Sequence, residues 1–226
     1  MPQWRVVGAS RRADERLEKR RMDRVIVADD HPLFRAALGS ALARAAPGAV
    51  VEETPSLAGA RAALARGPVD LLLLDLRLSD SEGFAGLAGV RSDFPTVPVV
   101  VVSASEDGVT IARAMAFGAA GFIPKSATLA EMIEALTAIR AGETWAPPTA
   151  DVAEVEPMEA RIASLTPSQL RILIGLQEGR LNKQIAFDLG VTEATIKAHL
   201  TGVFRKLGVQ NRTQAVIAAR ALSLEV

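Results

Sequence analysis

Four consecutive leucines, Leu71–Leu74, end abruptly in a carboxylate at Asp75, and nothing else in the chain restricts its fold as strongly. The run Val69-Asp70-Leu71-Leu72-Leu73-Leu74-Asp75 is preceded by the turn pair Gly67-Pro68 and followed by a polar loop. A strand that is apolar at every position has to be covered on both faces, a condition met by a parallel sheet between helices. In open parallel sheets, ligands and chemistry gather at the carboxyl ends of the strands. Asp75 stands at such an end. A lone aspartate there reads first as a helix cap or turn residue, so its role depends on what the other strands deliver to the same rim.

Four more strands alternate with helical patterns. Arg24–Ala28 ends in Asp29-Asp30-His31-Pro32 and is followed by a helix from Leu33 to about Ala45, with Pro32 tolerated in its first turn. Val50–Thr54 precedes an alanine-rich helix, Leu57 to Arg66. After Asp75 comes a weak, glycine-interrupted helix near Phe84–Ser92, then the strand Val97–Val102 ending at Ser103. A helix from Gly108 to Phe117, a short strand Ala120–Ile123 ending at Pro124-Lys125, and an amphipathic helix Leu129–Ala141 complete the pattern. Five strands joined by helix-length crossovers predict a doubly wound α/β domain with a five-stranded parallel sheet. Asp29, Asp30, Asp75, Ser103 and Lys125 then converge on one rim.

That constellation fits phosphoryl transfer to a carboxylate. Three acids need a cation, and hard oxygen ligands suit magnesium, which binds through one or two carboxylates and keeps positions for phosphate oxygens. Asp75 would attack phosphorus, while Lys125 and the metal balance charge and Ser103 donates a hydrogen bond. A magnesium-dependent phosphohydrolase of the haloacid-dehalogenase kind also uses an aspartate at a strand end. Such enzymes carry a general-acid aspartate two residues on, where this chain has Arg77. A flavodoxin-like cofactor binder lacks support, because no glycine- or hydroxyl-rich phosphate loop follows the first strand.

The residues Asp29-Asp30, Asp75, Ser103, Phe122 and Lys125 resemble, in order and spacing, the receiver domain of a two-component response regulator. Asp30-His31-Pro32 with Phe34-Arg35, and Gly121-Phe-Ile-Pro-Lys125, resemble the NarL/FixJ subfamily in particular. The resemblance spans about residues 23–142. It implies a flavodoxin-like receiver and Asp75 as phosphoacceptor from a sensor histidine kinase. It further implies Mg2+ on Asp29, Asp30, Asp75 and the Arg77 backbone carbonyl, with Ser103, Lys125 and the switch aromatic Phe122 completing the site. On phosphorylation Ser103 would be drawn toward Asp75 and Phe122 would move inward. The loop departs from the family: Leu78-Ser79 stands where a Met-Pro pair is usual.

The two halves of the chain differ in charge. Residues 25–161 hold ten basic and eighteen acidic residues, and residues 162–226 eight basic and four acidic, although the whole chain is formally neutral. Such asymmetry suggests two domains with different partners. In the basic half, Thr166-Pro167-Ser168-Gln169 is a capping box with proline at the first helical position. Asn182 is expected to cap a short helix closed by Gly190, and Thr192 a longer one, Glu193 to Leu207, closed by Gly208. Ile196, Leu200, Val203 and Leu207 share its inner face, which leaves Thr195, Lys197, Ala198, Thr201 and Arg205 outside. This reads as a helix-turn-helix, and the bland alternative is a three-helix bundle with a solvated basic face.

Leu165-Thr-Pro-Ser-Gln, Asn182-Lys-Gln-Ile-Ala186, Val191 to Leu200 and Phe204 to Thr213 resemble the LuxR-type DNA-binding domain over about residues 161–224. The resemblance implies that Thr195, Lys197, Ala198 and Thr201 face the major groove of promoter DNA and that Lys183, Thr192, Lys206 and Arg212 lie near phosphates. His199 matches a family histidine, for which packing or a phosphate contact is expected. Gln169 replaces a usual acid and Gly202 a common asparagine. Val216, Ala219 and Leu222 of the last helix are available as a dimer seam or as bundle core.

The expected organisation is an N-terminal extension (1–22), weakly helical or disordered, with Met22 a candidate natural start; a receiver (23–142); a linker (143–160) in which Trp145-Ala-Pro-Pro cannot stay regular for long; and a small all-α reader (161–226). The expected protein is a phosphorylation-dependent transcription regulator and not an enzyme, a homodimer when phosphorylated, with its unphosphorylated receiver covering the Thr195–Thr201 surface or blocking dimerisation. A phosphorylation-independent LuxR-type regulator is the alternative. Cysteine is absent, and no apolar run approaches the roughly 18 residues that span a bilayer, so a cytoplasmic, membrane-free setting is expected.

Overall fold

The computed structural model describes residues 5–7, 22–147 and 157–223. The charged run from Ser10 to Arg21 and the acidic run from Asp151 lie largely outside the described residues. The order is β1 (Arg5–Val7), β2 (Arg24–Ala28), α1 (Pro32–Ala45), β3 (Val50–Thr54), α2 (Leu57–Ala65), β4 (Leu71–Asp75), a two-residue hairpin β5 (Arg77–Leu78) and β6 (Ser81–Glu82), and α3 (Ala85–Asp93). Then come β7 (Val99–Ser103), α4 (Gly108–Ala116), β8 (Gly121–Pro124), α5 (Leu129–Arg140) and β9 (Thr144–Ala146). The helical part is α6 (Pro157–Ala163), α7 (Pro167–Gln177), α8 (Asn182–Leu189), α9 (Glu193–Leu207), α10 (Arg212–Ala218) and a 3-10 turn, Ala219–Leu222.

The sheet order is β1-β9-β8-β7-β4-β2-β3, with β4 near the centre. Its expected five parallel strands are six, because β9 pairs parallel to β8 through Gly121 and Trp145. A seventh strand, β1, is antiparallel to β9, with Val6 opposite Trp145. The expected linker therefore contributes β9 and the first turn of α6, and the N-terminal extension contributes an edge strand.

The leucine run divides as a doubly covered strand must. Leu71 and Leu73 join Val25, Val27, Val100, Val102 and the apolar faces of α1 and α5. Leu72 and Leu74 join Ile26, Ala28, Val99, Val101 and the face covered by α2, α3 and α4. That second core does not stop at the sheet domain. It runs on through Ile162, Leu170 and Leu173 to Leu222, so the helical domain packs on the same side as α3 and α4.

Local signals act as their chemistry requires. Thr166 and Gln169 form the expected capping box of α7. Gly190 and Gly208 stop α8 and α9 in the left-handed region, at φ 64° and 71°. Asn182 is not a cap; Leu181 holds that position, and its N–H donates to Gln184 Oε1 at 2.7 Å. The two family departures also prove to be one feature. A Cβ at residue 202 would lie 2.7 Å from Gln169 Nε2, so glycine in α9 makes room for the amide that closes the α7 cap.

Candidate functional site

The parallel strands end side by side, and the site follows from that register. Asp29 follows β2, Asp75 ends β4 and Ser103 ends β7, while Lys125 follows β8. Ala28 is level with Leu74, Asp75 with Val102, and Ser103 with Pro124. Asp75 therefore lies between the acids on one side and the Ser103 hydroxyl on the other.

Lys125 Nζ lies 2.7 Å from Asp75 Oδ2 and 2.8 Å from Asp29 Oδ2. The other oxygens of those acids take backbone donors: Arg77 N–H donates to Asp75 Oδ1 at 3.0 Å and His31 N–H to Asp29 Oδ1 at 2.7 Å. Asp75 is 4 % exposed and Asp29 1 %, whereas Asp30 lies at the surface. Ligand atoms of Asp29, Asp30, His31 and Asp75 all fall within 4.8 Å of one another. His31 Nδ1 sits 2.6 Å from Asp30 Oδ1, which adds an imidazole to the acidic cluster. Arg77 meets the cluster through its amide, and its side chain is exposed.

Burial pushes the Asp75 carboxyl above its ordinary value, more than the Lys125 hydrogen bond, the Arg77 amide and the Lys125 charge pull it down; Asp29 adds to the rise. Burial pulls Lys125 down, but its hydrogen bonds to Asp29 and Asp75 outweigh this and hold it above the ordinary ammonium value. Both groups are held above their ordinary values, which disfavours the charged acid and favours the charged lysine, because one ammonium serves two buried carboxylates. The lysine gains from both, and each acid receives only a share. The residual negative charge is what a divalent cation would neutralise, and the all-oxygen acid set matches a hard ion.

Ser103 is buried, and its Oγ accepts the Ser105 N–H at 3.1 Å. Phe122, the expected switch aromatic, is fully buried.

The second expected site lies on α8 and α9. Lys197, Ala198 and Thr201 are exposed, Thr195 and His199 half-buried, and Ile196, Leu200, Val203 and Leu207 buried, as the periodicity requires. Thr192 caps α9 by accepting the Thr195 N–H at 3.2 Å. Lys197 pairs with Glu193 one turn earlier at 3.2 Å, and Lys183 is exposed. Two of the expected phosphate contacts have internal partners. Lys206 Nζ donates to the Ser164 carbonyl at 2.8 Å, and Arg212 donates to the Arg180 carbonyl at 2.6 Å.

The receiver does not cover the outer face of α9. It meets the helical domain elsewhere, at α3 and α4 against α6, α7 and the last turn. Arg113 and Glu159, which form an ion pair there, were not foreseen. In sequence, Arg113 reads as the solvated side of α4 and Glu159 as part of an acidic linker.

Residues 25–137 match the response regulator receiver domain model, and residues 163–219 the model of bacterial regulatory proteins of the luxR family. A glycerol metabolism activator of Pseudomonas putida is 37% identical over 212 residues, covering 88% of this chain and 95% of that protein. The response regulator protein VraR of Staphylococcus aureus is 29% identical over 199 residues, covering 87% and 95%. Among solved structures, one of two RcsB dimers bound to two parallel DNAs matches with a TM-score of 0.53 at 21% identity, covering 89% of this chain and 99% of that one. RcsB of Salmonella enterica serovar Typhimurium, bound to a promoter in the presence of a phosphomimetic, matches with a TM-score of 0.52 at 21% identity, covering 89% and 100%. At that identity the likeness is one of fold. With both halves matched in order, and with a relative this similar along nearly its whole length, the chain belongs to the two-component response regulators of the NarL/FixJ type, a receiver followed by a luxR-family DNA-binding domain.

Proposed function

We propose that this protein regulates transcription by accepting a phosphoryl group on Asp75 and binding promoter DNA through α9. The observation that carries the reading is Asp75 itself: a buried carboxylate at the end of the central strand, between an acidic cluster and a buried hydroxyl, with Lys125 at 2.7 Å. An Asp75 oxygen attacks the phosphorus of a phosphohistidine on a sensor kinase. The new P–O bond forms as the P–N bond breaks, and the departing imidazole takes a proton. Lys125 offsets part of the burial penalty on the Asp75 charge and then balances charge on the phosphoryl oxygens, the Arg77 amide orients the nucleophile, and the Ser103 hydroxyl turns to donate to one oxygen. Asp29, Asp30, Asp75 and the Arg77 carbonyl would hold Mg2+, which when bound anchors phosphoryl oxygens and offsets the excess negative charge. Arg77 stands where a phosphohydrolase of the haloacid-dehalogenase kind carries its general-acid aspartate, and a guanidinium cannot serve as that acid.

On the DNA side, Lys197, Ala198 and Thr201, with Thr195 at their edge, enter the major groove, and Lys183, Thr192, His199, Lys206 and Arg212 line the phosphates. Lys206 and Arg212 have donors left beyond their internal bonds. Two copies would read half-sites about one helical turn apart as a homodimer. The functional units are the receiver with β9, a linker, and the reader from α6 onward. No helix of the described residues is long and apolar enough to cross a membrane, in keeping with a cytoplasmic regulator.

The test is binding to the DNA upstream of the protein's own gene and its neighbours, followed by fluorescence anisotropy at one fixed salt concentration. A small acyl-phosphate donor with magnesium is expected to tighten binding, and equal affinity with and without it would leave a phosphorylation-independent regulator. On the cognate site, Lys197→Ala should cost roughly 1–3 kcal/mol if Lys197 reads a base. If it touches only phosphate, the loss should be similar on all sequences and the salt slope should shrink by about one. An unchanged affinity and slope would remove Lys197 from the interface.

A further inference from the structure

The contact between the two domains contains a group that packing alone does not explain. Arg113 projects from α4 into the interface, where its side chain is only 8% exposed. Its Nε lies 3.0 Å from Glu159 Oε1 of α6, and the Glu159 side chain is 4% exposed. Its guanidinium lies over the Phe84 ring, 4.8 Å from the centroid, and Phe84 stacks on Phe117 at 5.4 Å. Its Nη2 donates to the Ala221 carbonyl and, at 3.1 Å, to that of Ser223. Beside it the Phe84 N–H donates to the Leu222 carbonyl at 2.6 Å, a backbone bond that crosses from one domain to the other.

Glue between two domains would be cheaper without charges, because a buried ion pair loses hydration that its attraction only partly returns. This pair is also incompletely satisfied, since the second Glu159 oxygen has no hydrogen-bond partner among the described residues. An arrangement that is costly to bury, and more costly to leave half-paired, suits a contact with two states. Its location supplies the connection. Phe84 follows the loop that leaves Asp75, and the Gly83 N–H donates to the Leu76 carbonyl within that loop at 2.8 Å. Arg113 lies on the helix that follows Ser103, whose Oγ accepts from Ser105, and Ser105 in turn hydrogen-bonds the α4 cap Asp107. The two halves of the contact thus hang from the two loops that a phosphoryl group would reposition.

We propose that Arg113 is the hub of an interdomain lock, in which it and Phe84 hold Glu159 and the C-terminal turn Ala219–Ser223 against the receiver, and that opening the lock frees the DNA-binding half. The receiver then restrains that half through its C-terminal turn and α6, and leaves the outer face of α9 bare. Only the identity of the opening signal rests on the phosphorylation reading given above. The lock is a property of the unphosphorylated chain and can be measured there.

The Phe84 amide is a built-in reporter, because its bond to Leu222 breaks when the domains part. Hydrogen exchange is followed by NMR on the full-length protein without phosphodonor, comparing wild type with Glu159→Gln and Arg113→Lys. Arg113→Lys keeps the charge but loses the fork. The exposed interdomain pair Arg171–Asp93, 3.3 Å apart, is removed by Arg171→Ala as a control. Both lock variants should speed Phe84 exchange by at least about tenfold, while the Leu72–Leu74 amides of the receiver core keep their protection and Arg171→Ala changes Phe84 little. Unchanged Phe84 protection in both lock variants overturns the proposal. So does an equal loss at Phe84 and Leu72–Leu74, which would make these residues ordinary core. Phosphodonor is added last to wild type. Fast Phe84 exchange only in the variants would keep the lock and reject phosphorylation as its signal.

Discussion

Asp75→Asn protein should take up no phosphate from an acyl-phosphate donor in the presence of magnesium, while wild type is labelled once per chain. The asparagine keeps the shape of the carboxylate and can still meet Lys125, but its amide is not a nucleophile toward phosphorus. Asp29 is held in a similar way, by Lys125 and a backbone N–H, yet it stands on the far side of Asp75 from Ser103, the hydroxyl expected to meet the transferred group. Labelling that survives the substitution would move the acceptor to Asp29 or Asp30. Turnover of many phosphoesters per chain would restore the phosphohydrolase reading.

The same substitution should stabilise the receiver when divalent ions are absent, and the sign can be worked out. Folding raises the Asp75 pKa above its ordinary 3.8, chiefly through burial. The folded state therefore prefers the protonated carboxyl; that contribution is complete below the unfolded-chain pKa and is lost as pH rises through the folded one. Asparagine does not ionise. The stability difference between the variant and wild type should accordingly be smallest in acid and widen as pH rises through the folded pKa of Asp75. Urea unfolding at several pH values, all kept below the titration of Lys125, whose raised pKa depends partly on Asp75, measures this. A difference that does not change with pH would mean that burial does not disfavour the Asp75 charge. Added magnesium should narrow the gap by favouring the ionised wild type.

How much of this was legible depended on whether the controlling contact was local. The leucine run, the acids after β2 and β4, the Thr166 capping box and the glycine stops of α8 and α9 each act within a few residues of themselves, and each lies where the sequence put it. Strand β9 was missed because three residues are too few to show a period, and Pro147-Pro148 read as the end of regular structure. What makes it a strand is backbone pairing to Gly121, which lies far back in the chain. Arg113 and Glu159 were missed for a related reason. A charged residue on an amphipathic helix or in an acidic stretch reads as solvated, and only the approach of the second domain buries it. The same approach decides Leu222, which was legible as apolar but open between dimer seam and core. In this structure it is buried, with its carbonyl bonded to Phe84.

The missed strand carries the other large effect. Trp145→Ala should destabilise the receiver by about 3–5 kcal/mol, the range for removing a fully buried large aromatic side chain. Trp145 is completely buried in the core formed with Ile123, Leu136 and Ile139 on the α1/α5 side of the sheet. The fit is close at its backbone too. A Cβ on Gly121 would lie 2.8 Å from the Trp145 carbonyl oxygen and 3.0 Å from Ile139 Cδ1, so glycine lets β8, β9 and α5 come together. A cavity at that junction cannot be refilled by collapse of β8, which is hydrogen-bonded to β7 along its length. Trp145→Phe, which keeps an aromatic ring in place, should lose less than half as much. Because the chain has two domains, a single unfolding curve would mix their transitions. Exchange of the Leu72–Leu74 amides isolates the receiver, and the expected loss should speed them by more than about a hundredfold, at ~1.4 kcal/mol per factor of ten. A loss below about 1 kcal/mol would fall outside that range. It would return residues 143–147 to the linker and the sheet to the five parallel strands first expected of it.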